Sequence, residues 1–116
     1  MTPFEVVPIN FDLTGSACDE IERLTLALEA DEKRPYVPSV SWHQEYEEVE
    51  RRLVDRGFVL GWYEPSSLPP EAIQFIGRLR IIFAVTPETA RKFQGRTIDF
   101  NGDRFVFLEA GSSPQI

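Results

Sequence analysis

The chain has 116 residues, 42% of them hydrophobic and 27% charged, with one cysteine and a formal net charge of −7. That size and balance suit a single domain that buries a core without metal or disulfide staples, and a lone Cys18 excludes an internal disulfide and any multi-thiolate zinc site. An acidic surface repels nucleic-acid phosphates, and no apolar run approaches membrane-spanning length, so the expectation is a cytoplasmic protein that binds neither nucleic acid nor membrane.

The charge is uneven. Residues 1–64 hold 14 acids against 6 bases, and residues 65–116 hold 5 against 6. Such a front half favours docking onto a basic protein surface, although solubility alone also accounts for it.

Phe4 to Phe11 mixes β-branched and apolar residues and reads as a strand, placed at an edge or ended early by Pro8, which cannot donate a ladder hydrogen bond. Ser16 with Asp19 resembles a capping box. Ala17, Ile21, Leu24 and Leu28 then recur on one face, which predicts a helix over about residues 16–32. Pro35 and Pro38 make the following connection extended.

Ser41 and Gln44 form a second capping box, and Trp42, Tyr46, Val49 and Leu53 recur at helical spacing, so a second long helix with a buried stripe is expected, stopped by Gly57. Phe58, Leu60 and Trp62 alternate along a strand that follows at once. Pro70 opens a short helix carrying Ala72, Ile73 and Ile76 and ending at Gly77, or else Ser66 to Gly77 is an irregular loop covering the sheet. Leu79 to Val85, apolar on both faces, predicts a central strand. Thr86-Pro87-Glu88 starts a helix that runs to about Gln94 and stops at Gly95. Asn101-Gly102 between two β-prone runs predicts a C-terminal hairpin.

These elements make one α+β domain over residues 1–110, with a flexible tail at 111–116. The expected sheet is mostly antiparallel, of four or five strands, with two long helices on one face; a ferredoxin-like arrangement is one compatible topology.

Chemistry-bearing residues are few. His43-Gln44-Glu45 matches half of a zinc-deaminase pattern but lacks the cysteine pair, so no metal and no cofactor are expected. On a helix, Glu47 and Glu48 would pair with Arg51 and Arg52 at the i,i+4 spacing, which makes the carboxylate run a solvated face rather than an acid–base centre. Cys18 sits where a helix dipole favours thiolate, yet Asp19 and Glu20 oppose this, and it reads as a packed residue.

The function expected is therefore a non-catalytic protein-binding module of inhibitor, immunity or regulatory type, contacting a basic partner through Glu45 and Glu48 of an acidic helix face and through Tyr63. A second reading is a small-molecule-binding or enzymatic domain with a pocket between sheet and helices. That pocket would be lined by Trp42, Trp62 and Phe58, with a convergent carboxylate and His43 or Tyr63 as the polar group. A third is a structural subunit whose edge strand joins a homodimer or larger assembly.

Overall fold

Residues 6–108 are described by the computed structural model. They build an α+β fold from strands β1 (Asp12–Leu13), β2 (Val37–Glu47), β3 (Arg52–Tyr63), β4 (Ile73–Ile76), β5 (Leu79–Ala84), β6 (Thr97–Phe100) and β7 (Phe105–Leu108), with helices α1 (Gly15–Glu32) and α2 (Pro87–Ala90). The strands form two sheets instead of one, ordered β1-β6-β7 and β3-β2-β5-β4. Each sheet is mixed: β1 runs parallel to β6 and β2 parallel to β5, and the other pairings are antiparallel.

Helix α1 forms where the apolar spacing predicts it. Its N-cap is Thr14, whose hydroxyl accepts from the Ala17 amide at 3.2 Å, and Ser16 lies inside the helix. Ala17 and Ile21 are fully buried, and Lys33 closes the helix in the left-handed conformation at φ 59°. Asp99 on β6 accepts from Thr14 Oγ1 at 2.7 Å and Ser16 Oγ at 3.0 Å, which fastens the helix start to the small sheet and holds the Asp99 carboxyl below its ordinary range. On the other side, Trp62 Nε1 donates to Thr25 Oγ1 at 2.8 Å, fixing β3 to the same helix.

The second long helix is absent. Residues 37–63 are a β-hairpin, β2–β3, whose turn is Glu48 to Arg51, with Arg51 at φ 57°. The spacing of Trp42 and Tyr46 fits period 2 as well as 3.6, Val49 falls in the turn, and Leu53 belongs to the returning strand. A ferredoxin-like arrangement fails because β1, which α1 connects to β2, lies in a different sheet from β2 and β3. The short helix expected from Pro70 is a single 3-10 turn, Pro70–Ala72, followed by β4, and Gly77 at φ 60° turns β4 into β5.

The strand expected over Phe4–Phe11 does not form among its described residues, 6–11, and the short β1 begins after it at Asp12; Phe4 and Glu5 lie outside the described residues. The side chain of Gln74 substitutes for a ladder there: its Nε2 donates to Val7 O at 2.9 Å and its Oε1 accepts from Ile9 N at 3.1 Å. The tail at 111–116 also lies outside the described residues.

β5 is an interior strand, as its apolar run predicts, with Ile81, Ile82 and Phe83 buried. The main core lies between the two sheets and α1: Val40, Ile81 and Phe83 from the larger sheet meet Ile98 from the smaller one, with Ile21 and Phe93 between them. Val37, Ile82 and Ala72 are also buried but lie outside this cluster. In register, Val37 and Ile82 sit on the outer face of the larger sheet, where residues 64–72 carry the chain from the β3 edge to the β4 edge. α2 starts with a capping box between Thr86 and Thr89, continues as a 3-10 turn at Arg91–Phe93 and stops at Gly95, φ 70°. The β6–β7 hairpin closes with the Asn101 side chain accepting from the Asp103 and Arg104 amides, both at 2.9 Å.

Candidate functional site

The site follows from the register of the β2–β3 hairpin. Val40 pairs with Leu60 and Trp42 with Phe58 on the core-facing side. The register then shifts: His43 pairs with Gly57 but Gln44 pairs with Asp55, leaving Arg56 as an extra residue, and Gly57 at φ 119° absorbs the distortion. Because of that bulge, Asp55 and Leu53 return to the same face as Phe58 although they are odd-numbered and Phe58 is even. Gln44, Asp55, Tyr46 and Leu53 therefore continue the inner face outward.

Asp55 is the hub of this face. Its Oδ1 accepts from Trp42 Nε1 at 2.9 Å and Gln44 Nε2 at 2.8 Å, and its Oδ2 pairs with Lys92 Nζ at 2.8 Å. Lys92 first, then the indole and the amide, hold the carboxyl far below its ordinary range, so Asp55 stays ionised. This contact joins the hairpin to the Arg91–Phe93 turn.

Beside the hub, an aromatic network crosses from one sheet to the other. Phe107 lies 4.7 Å from Phe58, 5.8 Å from Phe93 and 6.3 Å from Trp42, ring centre to ring centre, and the Arg96 guanidinium sits 3.6 Å above its ring. Trp42, Asp55, Arg56, Gly57, Phe58, Arg96, Phe105 and Phe107 line an open groove of about 460 Å³.

Past the groove the arm stands alone. β2 pairs with β5 only through Ser41, so Trp42 to Glu47 have β3 as their single neighbouring strand over about 20 Å. Tyr46 and Leu53 face each other across the two strands and are 59% and 60% exposed, and Val49 in the turn is 90% exposed. They do not form the buried stripe expected of a helix.

Glu45 lies on the outer face of the arm, paired with Arg56 at 2.9 Å and facing His43 at 3.5 Å; these partners lower its pKa, Arg56 foremost. Glu48 is exposed in the turn. Tyr63 shares the outer face with Glu45 but lies nine residues along β3 from Val54, the cross-strand partner of Glu45, about 30 Å away. The structure thus brings Glu45 and Glu48 to one arm and leaves Tyr63 at the other end. The helical pairs Glu47–Arg51 and Glu48–Arg52 do not form. The ion pairs here are Arg52–Glu50, Arg56–Glu45 and Arg56–Glu47, a neutralisation made across a hairpin.

Cys18 is half-buried, and its thiol is raised by desolvation and then by Asp19, Asp12 and Glu22. Among the described residues no three His, Cys, Asp or Glu side chains gather to hold a metal, and no helix is long and apolar enough to cross a membrane.

Sequence reasoning missed Asp55, Lys92, Arg96, Phe105 and Phe107. Asp55 lies between Val54 and Arg56 with no local pattern to mark it. The others come from distant parts of the chain and meet it only through the packing of two sheets. Comparison with protein families, with curated proteins and with solved structures finds no match for this chain.

Proposed function

We propose that this protein is a non-catalytic, cytoplasmic protein-binding module of inhibitor, immunity or regulatory type, and that its recognition element is the outer half of the β2–β3 hairpin. The observation that carries this reading is the Tyr46–Leu53 pair, two large apolar side chains directly opposite each other and mostly in water on an arm with no third strand. Exposed apolar pairs on a projecting element, flanked by charges, suit a partner that buries them. The acids Glu45, Glu47, Glu48 and Glu50 around them suit a partner with basic groups at the rim, where charge speeds and orients association. Tyr63 belongs to a separate surface and is not needed by a partner seated on the arm.

The test is affinity capture from the native source with the wild-type chain, Y46S/L53S, E45K/E48K and Y63A as baits. The expected result is one stoichiometric partner that is lost with Y46S/L53S, becomes more easily washed off by salt with E45K/E48K and is retained by Y63A. A partner held equally by all four baits would remove the arm from consideration.

A further inference from the structure

We propose that the groove between β3 and β7 binds a small planar carboxylate, whose apolar body rests on Trp42, Phe58 and Phe105 and whose anionic group pairs with Arg96. The argument begins with charge. Of the charged side chains in and beside the groove, Asp55 is neutralised by Lys92 at 2.8 Å, and Arg56 is taken up by Glu45 at 2.9 Å and Glu47 at 3.7 Å. Arg96 has no carboxylate partner among the described residues, and its single side-chain hydrogen bond there goes from Nη1 to the Lys92 carbonyl at 3.3 Å. One uncompensated cation at the groove selects a monoanion, because a second negative charge would find no further free cation there among the described residues to balance it.

Geometry selects a carboxylate with a flat apolar body. The Arg96 guanidinium is held 3.6 Å over the Phe107 ring, which fixes a fork-shaped donor in place and reduces the ordering needed when a carboxylate binds. Trp42, Phe58 and Phe105 supply an aromatic side to the lining beside the polar Asp55 and Arg56, and about 460 Å³ lies within the roughly 300–1,000 Å³ of small-molecule sites. The Trp42 indole N–H and both Asp55 oxygens are already engaged with each other and with Gln44 and Lys92, so they shape the wall and leave Arg96 to orient the ligand.

The two tryptophans supply the readout. Trp42 Nε1 lies at the groove, whereas Trp62, four residues along β3 from Phe58 and outside the groove lining, is tied through Nε1 to Thr25 of α1 and serves as an internal reference. Titration of the isotope-labelled chain with 2-naphthoate is expected to move the Trp42 indole resonance to saturation and leave that of Trp62 in place, with the neutral isostere 2-naphthamide binding about tenfold more weakly. R96Q is expected to abolish the preference for the acid over the amide. Should R96Q fail to give a folded spectrum, the acid–amide ratio in the wild-type chain and its reduction in R96K decide the matter. Equal binding of the two probes, matching shifts at Trp62, no saturable binding at the solubility limit, or tighter binding of the phenyl phosphate dianion would each overturn the proposal. So would tighter binding of an acetylated Asp-containing pentapeptide, which would assign the groove to an acidic segment of a protein partner.

Discussion

The two halves of the β2–β3 hairpin differ in what covers them. In the inner half, Val40, Trp42, Phe58 and Leu60 face other parts of the fold, and β2 has a strand on each side through Ser41. In the outer half the same face carries Gln44, Asp55, Tyr46 and Leu53, and nothing else in the described chain lies over the last two. A strand pattern of alternating polarity thus states which face a side chain occupies, while its burial depends on whether a second layer reaches that far. The outer half is a core face without a core.

Phe93, fully buried and in ring contact with Phe11, Trp42, Phe83 and Phe107, anchors the layer over the inner half. Truncation in Phe93→Ala is expected to cost about 3–5 kcal/mol in denaturant unfolding, the largest effect among these variants. Next comes the junction of the halves. Gly57 has open space around it but a φ of 119°, so Gly57→Ala is opposed by backbone strain and not by crowding, and about 1–3 kcal/mol is expected, with the Trp42 indole resonance displaced as the bond to Asp55 shifts.

A smaller and pH-dependent effect is expected at the hub. The folded chain keeps Asp55 ionised to lower pH than the unfolded chain does, so its contribution is present above the ordinary carboxylate range and is lost as pH falls. The stability difference between wild type and D55N should therefore shrink between about pH 6 and about pH 3, measured by urea unfolding across that range; a difference independent of pH would mean that the Lys92, Trp42 and Gln44 contacts do not depend on the charge. The smallest effect belongs to the tip. Y46S/L53S should leave unfolding within about 0.5 kcal/mol of wild type, because neither side chain is packed, while removing the binding proposed for the arm. A large loss of stability there would show that the outer half is covered after all.

Where local chemistry decides the structure, the sequence was readable. The face of Ala17 and Ile21 placed α1, Thr86-Pro87 placed α2, the doubly apolar Leu79–Ala84 run placed an interior strand, and Asn101-Gly102 placed the last hairpin. Residues 41–57 were misread for a physical reason. Their turn, Glu48-Val49-Glu50-Arg51, has no Gly, Pro or Asn and puts an arginine in the left-handed region, so the usual marker of a reversal is missing, and the Glu and Arg content favours helix. The contrary sign was present: Ser39, Ser41, His43, Glu45 and Glu47 are all polar, while Val40, Trp42 and Tyr46 alternate with them as apolar residues. Of the expected contact residues, Glu45 and Glu48 share the arm, but no local pattern could reveal that Tyr63 lies at its opposite end. The groove lies elsewhere than the pocket expected between sheet and helices. Trp42, Phe58 and a carboxylate do converge, against a β-hairpin and not beneath a helix, and without Trp62.

The extra residue at Arg56 makes the bulge itself part of the code. Deleting Arg56 would remove the bulge and yet keep Asp55 opposite Gln44 and Leu53 opposite Tyr46 on the inner side, while Glu45 and Glu47 would lose their shared cation. The opposite change, retaining Arg56 but drawing it into regular pairing, would turn the returning strand over, so that Lys92 lost its carboxylate and the apolar tip was split between two faces. Within this hairpin, then, the bulge decides which surface each residue of the returning strand presents.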